Sequence, residues 1–221
     1  MRTARFLASA AIAVTASVLG LGAAAAQTAT PTAEQVAAAK AALQQYTAAH
    51  APKSESTPTT LDACPWGDSL VVGVASRQAD SQAAATGTPT VSSSVFLDQT
   101  VDKGTRSIAC TVPYTTTGGD QQSLTVVAYA DPGLKTTAFA KALAKQTKGK
   151  LVAMNPSHPT LAGGKVEGYC MKYSSSTQCT YAWNRDGLYV EIDNDARAAS
   201  NFTELHDVVP ATVAALQSLK A

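Results

Sequence analysis

Charged side chains make up only 15% of this 221-residue chain, and they nearly cancel: 17 Lys and Arg stand against 16 Asp and Glu, a formal net charge of +1. That balance excludes a nucleic-acid binder working by bulk attraction, and equally an acidic solvating tail. Cysteine is sparse too. Four are too few for a miniprotein held together by disulfides alone. No Cys-x-x-Cys or His-x-x-x-His spacing occurs, and His50, His158 and His206 lie far apart, so neither a metal nor another cofactor is expected. Beyond residue 26 no apolar run is long enough to span a membrane. The hydrophobic fraction, 45%, is in turn too high for a disordered chain.

Residues 1–26 read as an export signal. Arg2 and Arg5 form a short basic start, Phe6 to Leu21 is apolar and uncharged, and Ala24-Ala25-Ala26 matches the small-x-small cleavage pattern. The mature chain is then expected to begin at Gln27, with a net charge of −1 and a secreted location. No adjacent Arg pair marks a twin-Arg signal, and no Cys follows the apolar run to carry a lipid.

Residues 27–60 read as an N-terminal helix and a linker. Thr32 and Gln35 have capping-box spacing, and Val36, Ala39, Leu43 and Tyr46 recur with helical period. Ala51 to Thr60 is rich in Pro, Ser and Thr. Residues 61–221 then read as a single domain. Leu61 to Ala75 is ambiguous between helix and strand, and Asp80 to Ser94 reads as a loop. Ile108, Cys110, Val112 and Tyr114 alternate along one strand face, and Leu124 to Ala130 is the returning strand. Lys135 to Lys148 reads as a helix and Leu151 to Met154 as a short strand. Three strands follow: Val166 to Tyr173, Gln178 to Trp183 and Leu188 to Ile192. Asp186-Gly187 is a type I′ turn signal that pairs Arg185 with Leu188, Trp183 with Val190 and Tyr181 with Ile192. A closing helix is expected from about Phe202 to Leu219, capped by Asn201 and kinked or split at Pro210.

Cys110-Thr111-Val112-Pro113-Tyr114 and Cys179-Thr180-Tyr181-Ala182-Trp183 each precede a turn, a strand and a helix. The fold expected is therefore α+β: an antiparallel sheet from two related hairpin-plus-helix units, with helices on one face. Exported proteins with an even cysteine count oxidise them. A turn at Ser174-Ser175 sets Cys170 opposite Cys179, within disulfide reach, which leaves Cys64 for Cys110.

Two strings suggest catalysis. Gly67-Asp68-Ser69-Leu70 resembles the signature of the SGNH/GDSL hydrolase family, and Asn155-Pro156-Ser157-His158-Pro159 resembles that family's His block. The resemblance implies Ser69 as nucleophile and His158 as base. The position that should hold the orienting carboxylate is Asn155. The chain also lacks the alternating strand–helix runs of a parallel sheet. A turn and a Pro-flanked loop are the favoured reading, with the ester hydrolase kept as the alternative.

A binding site is suggested by alternation. In the three-strand unit Val166, Cys170, Cys179, Tyr181, Trp183, Leu188, Val190 and Ile192 share one face, the expected core. Tyr169, Met171, Tyr173, Tyr189, Glu191 and Asp193 share the other. Tyrosine couples a flat apolar ring to a polar tip, which suits sugars, peptides or a partner surface, with Glu191 and Asp193 as acceptors at the rim. The plainer expectation is that the helix at 33–49, or a long Ala/Ser/Thr loop, covers this face. Pro132 to Val166 carries six Lys and no acid, whereas Asp186 to Asp207 carries six acids, so the two stretches are expected to attract each other.

Leu61-Asp62-Ala63-Cys64, the two cysteine pentapeptides and the closing apolar helix together resemble a group of secreted actinobacterial domains, which includes exported lipoproteins and the extracytoplasmic sensor domain of a mycobacterial Ser/Thr kinase. The resemblance covers about Leu61 to Leu219. It implies a disulfide-stapled α+β domain with a cleft and a binding or sensing role. The function expected is a secreted binding or sensor-like domain without catalysis. The partner expected is an envelope or extracellular ligand met by a monomer, with no nucleic acid and no membrane span after signal cleavage.

Overall fold

The computed structural model of the chain describes residues 30–51, 59–67, 92–98, 105–115, 121–130, 150–154, 160–173, 177–194 and 198–220. The stretch read as an export signal, the ambiguous run after Gly67, the helix expected at 135–148, Ser69 and His158 lie outside them. In chain order the described elements are α1 (Ala33–Ala49), β1 (Thr59–Leu61), β2 (Ser92–Asp98), β3 (Thr105–Thr115), β4 (Gln121–Ala130), β5 (Lys150–Met154), β6 (Thr160–Leu161), β7 (Gly164–Lys172), β8 (Thr177–Arg185), β9 (Leu188–Asn194) and α2 (Ala198–Leu216). The strands form one sheet in the order β1-β2-β3-β4-β9-β8-β7-β5, with β6 also on β7, and every pairing is antiparallel. The α+β class with an antiparallel sheet is the one the sequence predicts.

The strand order is palindromic about the β4–β9 contact. The meander β2-β3-β4 meets the meander β7-β8-β9 with their last strands side by side. Cys110 on β3 and Cys179 on β8 occupy corresponding places, as two related hairpin units require.

Two tight turns set the register of the second meander. Asp186 (φ 53°) and Gly187 (φ 79°) are both left-handed, the type I′ geometry that matches strand twist, and they fix Arg185↔Leu188, Trp183↔Val190 and Tyr181↔Ile192. Ala162 (φ 48°) and Gly163 (φ 73°) make the equivalent turn between β6 and β7. All eight residues expected on the core face are buried there, with Trp183 fully enclosed and its indole N–H donating to the Leu161 carbonyl at 2.7 Å. Gly164 makes room for that ring: a Cβ there would collide with Trp183 Nε1 and stand 2.6 Å from the Asn184 carbonyl.

Both described helices lie on this core face. The Thr32 cap holds α1 through Gln35 N to Thr32 Oγ1 (3.2 Å) and Thr32 N to Gln35 Oε1 (2.8 Å). Val36, Ala39 and Leu43 enter one core with Ile108, Val126, Ile192 and Val213. Tyr46 packs half-buried against the same core, and Thr47 beside it is buried, returning its hydroxyl to the Leu43 carbonyl at 2.8 Å. Arg185 Nη1 donates to the Pro31 carbonyl at 2.6 Å, and Lys40 Nζ to the Asp186 carbonyl at 2.8 Å, so the N-terminal helix is tied to the second hairpin.

Three expectations are corrected. The stretch read as a linker to Thr60 ends in β1, and the loop read to Ser94 gives way to β2 at Ser92. Thr59-Thr60 and Ser92-Ser93-Ser94 have little apolar pattern of their own and are set by pairing with the next strand inward. The closing helix starts at Ala198, so Asn201 lies inside it rather than at its cap, and it runs unbroken through Pro210. Proline in a helix interior costs about 3 kcal/mol; burial of Leu205, Val208, Val209, Val213 and Leu216 against the sheet offsets that.

Both expected disulfides are present. Cys64 joins Cys110 across 46 residues, pinning the turn after β1 to the central part of β3. Cys170 joins Cys179 directly across β7 and β8, with Cα atoms 4.0 Å apart. Among the described residues no cysteine is free, and no helix is long and apolar enough to cross a membrane.

Candidate functional site: a tyrosine–carboxylate cluster

The second face of the sheet is built by strict alternation. The turn at Asp186-Gly187 sends Leu188, Val190 and Ile192 into the core, so Tyr189, Glu191 and Asp193 emerge opposite. Pairing across β4 and β9 then sets Tyr129 against Tyr189, Val127 against Glu191 and Thr125 against Asp193. Across β9 and β8, Asp193 stands opposite Thr180, and across β8 and β7, Thr180 stands opposite Tyr169. Asp193 and Thr180 thereby sit between Thr125 and Tyr169 in one row across four strands.

Polar contacts run along this arrangement. Tyr129 and Tyr189 stack nearly parallel, centroids 4.7 Å apart and planes 7° apart. The Tyr129 hydroxyl donates to Glu191 Oε1, a diagonal neighbour on β9. Thr180 Oγ1 donates to Asp193 Oδ1 at 3.3 Å, and the Thr111 and Thr125 hydroxyls meet at 3.1 Å. Tyr169 packs with Met171, flanked by Leu151 and Tyr173.

Burial differs from an open platform. Tyr169 and Tyr189 are each 6% exposed, Tyr129 5% and Glu191 6%, while Tyr173 and Asp193 are half-buried. The helix at 33–49, offered as a cover for this face, packs on the opposite side of the sheet. The tyrosine clusters are separate from the main core, and no described helix joins them.

Burial sets the protonation of the phenols. Tyr129 is held well above the ordinary tyrosine range, first by removal from water and then by the Glu191 charge and its hydrogen bond. Tyr169 is raised chiefly by burial, with Glu191 adding to the shift and the Thr180 side chain working against it. Both therefore remain O–H donors through the physiological range. A phenol held protonated is a poor base or nucleophile and a good hydrogen-bond donor.

The structure thus brings together Tyr169, Tyr173, Tyr189, Glu191 and Asp193, all on one face. It adds Tyr129 and Thr180, which sequence reasoning missed. The odd-numbered positions of β4 carried the signal, because Leu124, Val126 and Ala128 assign the even ones to the core. Ser69 and His158 lie outside the described residues, so their separation is not part of the geometry. Of the other histidines, His50 stacks on Tyr46 at 4.1 Å with its Nδ1 2.9 Å from the Tyr46 carbonyl, and His206 is exposed. Among the described residues no group of three or more His, Cys, Asp and Glu could hold a metal ion.

The fold and cluster define a disulfide-stapled α+β sheet domain, with the described helices on one face and an aromatic–acidic network on the other. Comparison with protein families, with curated proteins and with solved structures finds no match to this chain.

Proposed function

We propose that this chain is an exported, non-catalytic binding or sensor-like domain of the cell envelope or exterior, with the tyrosine–carboxylate face as its ligand surface. The observation that carries the reading is the convergence of Tyr129, Tyr169, Tyr189, Glu191 and Asp193 on the sheet face away from both described helices. A buried carboxylate and buried phenols are less stabilising than a well-packed apolar patch of equal volume, so such a network favours a role in recognition over one in holding the fold. Half-buried Tyr173 and Asp193 are the side chains a ligand meets first, and the buried members fix their surroundings. Two disulfides fit an oxidising compartment, and residues 1–26 supply the export signal.

The test compares mature protein starting at Gln27 with Tyr173→Ala and Asp193→Asn for retention on fractionated envelope polymers. Each variant is expected to bind at least about fivefold more weakly, a loss of roughly 1 kcal/mol, with a Tm within about 2 °C of the parent. Equal retention by all three proteins contradicts the assignment. So does hydrolysis of a chromogenic ester that disappears in Ser69→Ala.

A further inference from the structure

β5 forms one border of the sheet, and among the described residues its strand partner is β7. The 4.0 Å Cα separation of Cys170 and Cys179 is the close spacing of a non-hydrogen-bonded antiparallel pair. Cys170 therefore turns its N–H and C=O away from β8 and toward β5, where it faces Val152. Alternation leaves Leu151 and Ala153 with their N–H and C=O pointing outward from the sheet. The opposite border is blunted by the three-residue β1, but β5 presents five residues with neither proline nor bulge.

Two side-chain observations accompany these outward groups. Val152, at 42% exposed, is the large apolar side chain left open to solvent among the described residues. Lys150 lies directly opposite Lys172, both exposed, with no described ion pair to either. Like charges facing each other across strands repel, so among the described residues the border carries an unanswered positive charge beside an open apolar position.

We propose that the β5 border accepts an extended peptide as an added antiparallel strand, with an apolar residue opposite Val152 and an acidic residue opposite Lys150. The incoming backbone would bond to Leu151 and Ala153, which makes Lys150 and Val152 the close, non-hydrogen-bonded positions where facing side chains interact most strongly. In antiparallel sense the acid follows the apolar residue by two positions. A second copy of β5, paired about Val152, sets Met154 against Lys150 and leaves the charge unanswered; charge complementarity selects an acidic partner strand instead. This surface is separate from the tyrosine face and does not depend on the function proposed for it.

The experiment uses the mature chain from Gln27 and a nine-residue synthetic peptide with valine, threonine and glutamate at its centre and threonine and serine on either side. Hydrogen exchange followed by NMR is expected to show Val152 N–H protected before peptide is added, and Leu151 and Ala153 N–H protected only afterwards. Lys150→Glu should weaken binding about five- to tenfold, and a peptide with lysine in place of glutamate should regain that loss. Ala153→Pro removes an outward N–H at a border position where proline is tolerated, and should abolish binding while the protein stays folded. Equal affinity for the glutamate and lysine peptides overturns the proposal, as does new protection away from Leu151 and Ala153. Protection of those two amides that grows with protein concentration alone identifies a second copy as the occupant and also overturns it. Loss of peptide binding in Tyr173→Ala would place the peptide on the tyrosine face and has the same consequence.

Discussion

Replacing Tyr129 with phenylalanine isolates one contact of the cluster. The ring and its stack on Tyr189 at 4.7 Å are retained, and what disappears is the hydroxyl that donates to Glu191 Oε1. Glu191 is only 6% exposed, so water cannot freely take the place of that donor. A hydrogen bond to a charged group contributes about 1.5–3 kcal/mol, and loss of one partner in a buried site sits toward the upper part of that range. With a urea slope of about 2 kcal/mol per molar, the midpoint should fall by about 0.8–1.5 M. Glu191→Gln supplies the second arm of a double-mutant cycle. Its combination with Tyr129→Phe should cost less than the two single changes added together, because both remove the same contact. A midpoint shift under about 0.2 M for Tyr129→Phe, or strictly additive single costs, would refute the reasoning that this phenol satisfies the buried carboxylate.

Tyr129 and Tyr169 are both raised above the unfolded tyrosine value of 10, so the folded state holds their protons longer than the unfolded chain. Their contribution is complete below pH 10 and is lost as pH rises through the folded values. A spectrophotometric titration should therefore show part of the seven tyrosines ionising late, together with the loss of far-ultraviolet circular dichroism; all seven ionising near pH 10 in a folded protein would contradict it. Loop-closure entropy makes Cys64–Cys110, closing 46 residues, worth roughly 4 kcal/mol and Cys170–Cys179, closing 9, roughly 2.7 kcal/mol. Paired alanine replacements measured by urea denaturation should keep that order. Gly164→Ala should destabilise by about 2–4 kcal/mol, because the new methyl meets Trp183 and the Asn184 carbonyl, and a Tm unchanged within 2 °C would show that the Trp183 ring can move aside.

Much of the second meander was legible because its signals are local. Asp186-Gly187 fixes a turn with no slack, and a single register then assigns every residue of β8 and β9 to a face. The cysteine pairing followed from the same counting. Tyr129 was not legible as a site residue, since its place depends on β4 pairing with β9 across 62 residues of sequence, and no turn dictates that register. The helix at 33–49 was correctly bounded by its capping box, but periodicity says only that one side is buried and not which face of a sheet buries it. At Pro210 local propensity argued for a break, and the apolar side of α2 against the sheet prevailed. The border strand β1 is Thr-Thr-Leu and β2 opens on Ser92-Ser93-Ser94 before its apolar run, so a loop was the natural reading of those residues.

The claim that the tyrosine face recognises a ligand is tested most directly by NMR of protein labelled in its tyrosine rings, titrated with soluble fragments of envelope polymers. Tyr173 should shift first and furthest, with Tyr169, Tyr189 and Tyr129 following through their packing. Tyr46, on α1, and Tyr181, in the main core, should stay still. Saturating fragments that leave the four tyrosines of the second face unmoved while shifting Tyr46 or Tyr181 would contradict the account.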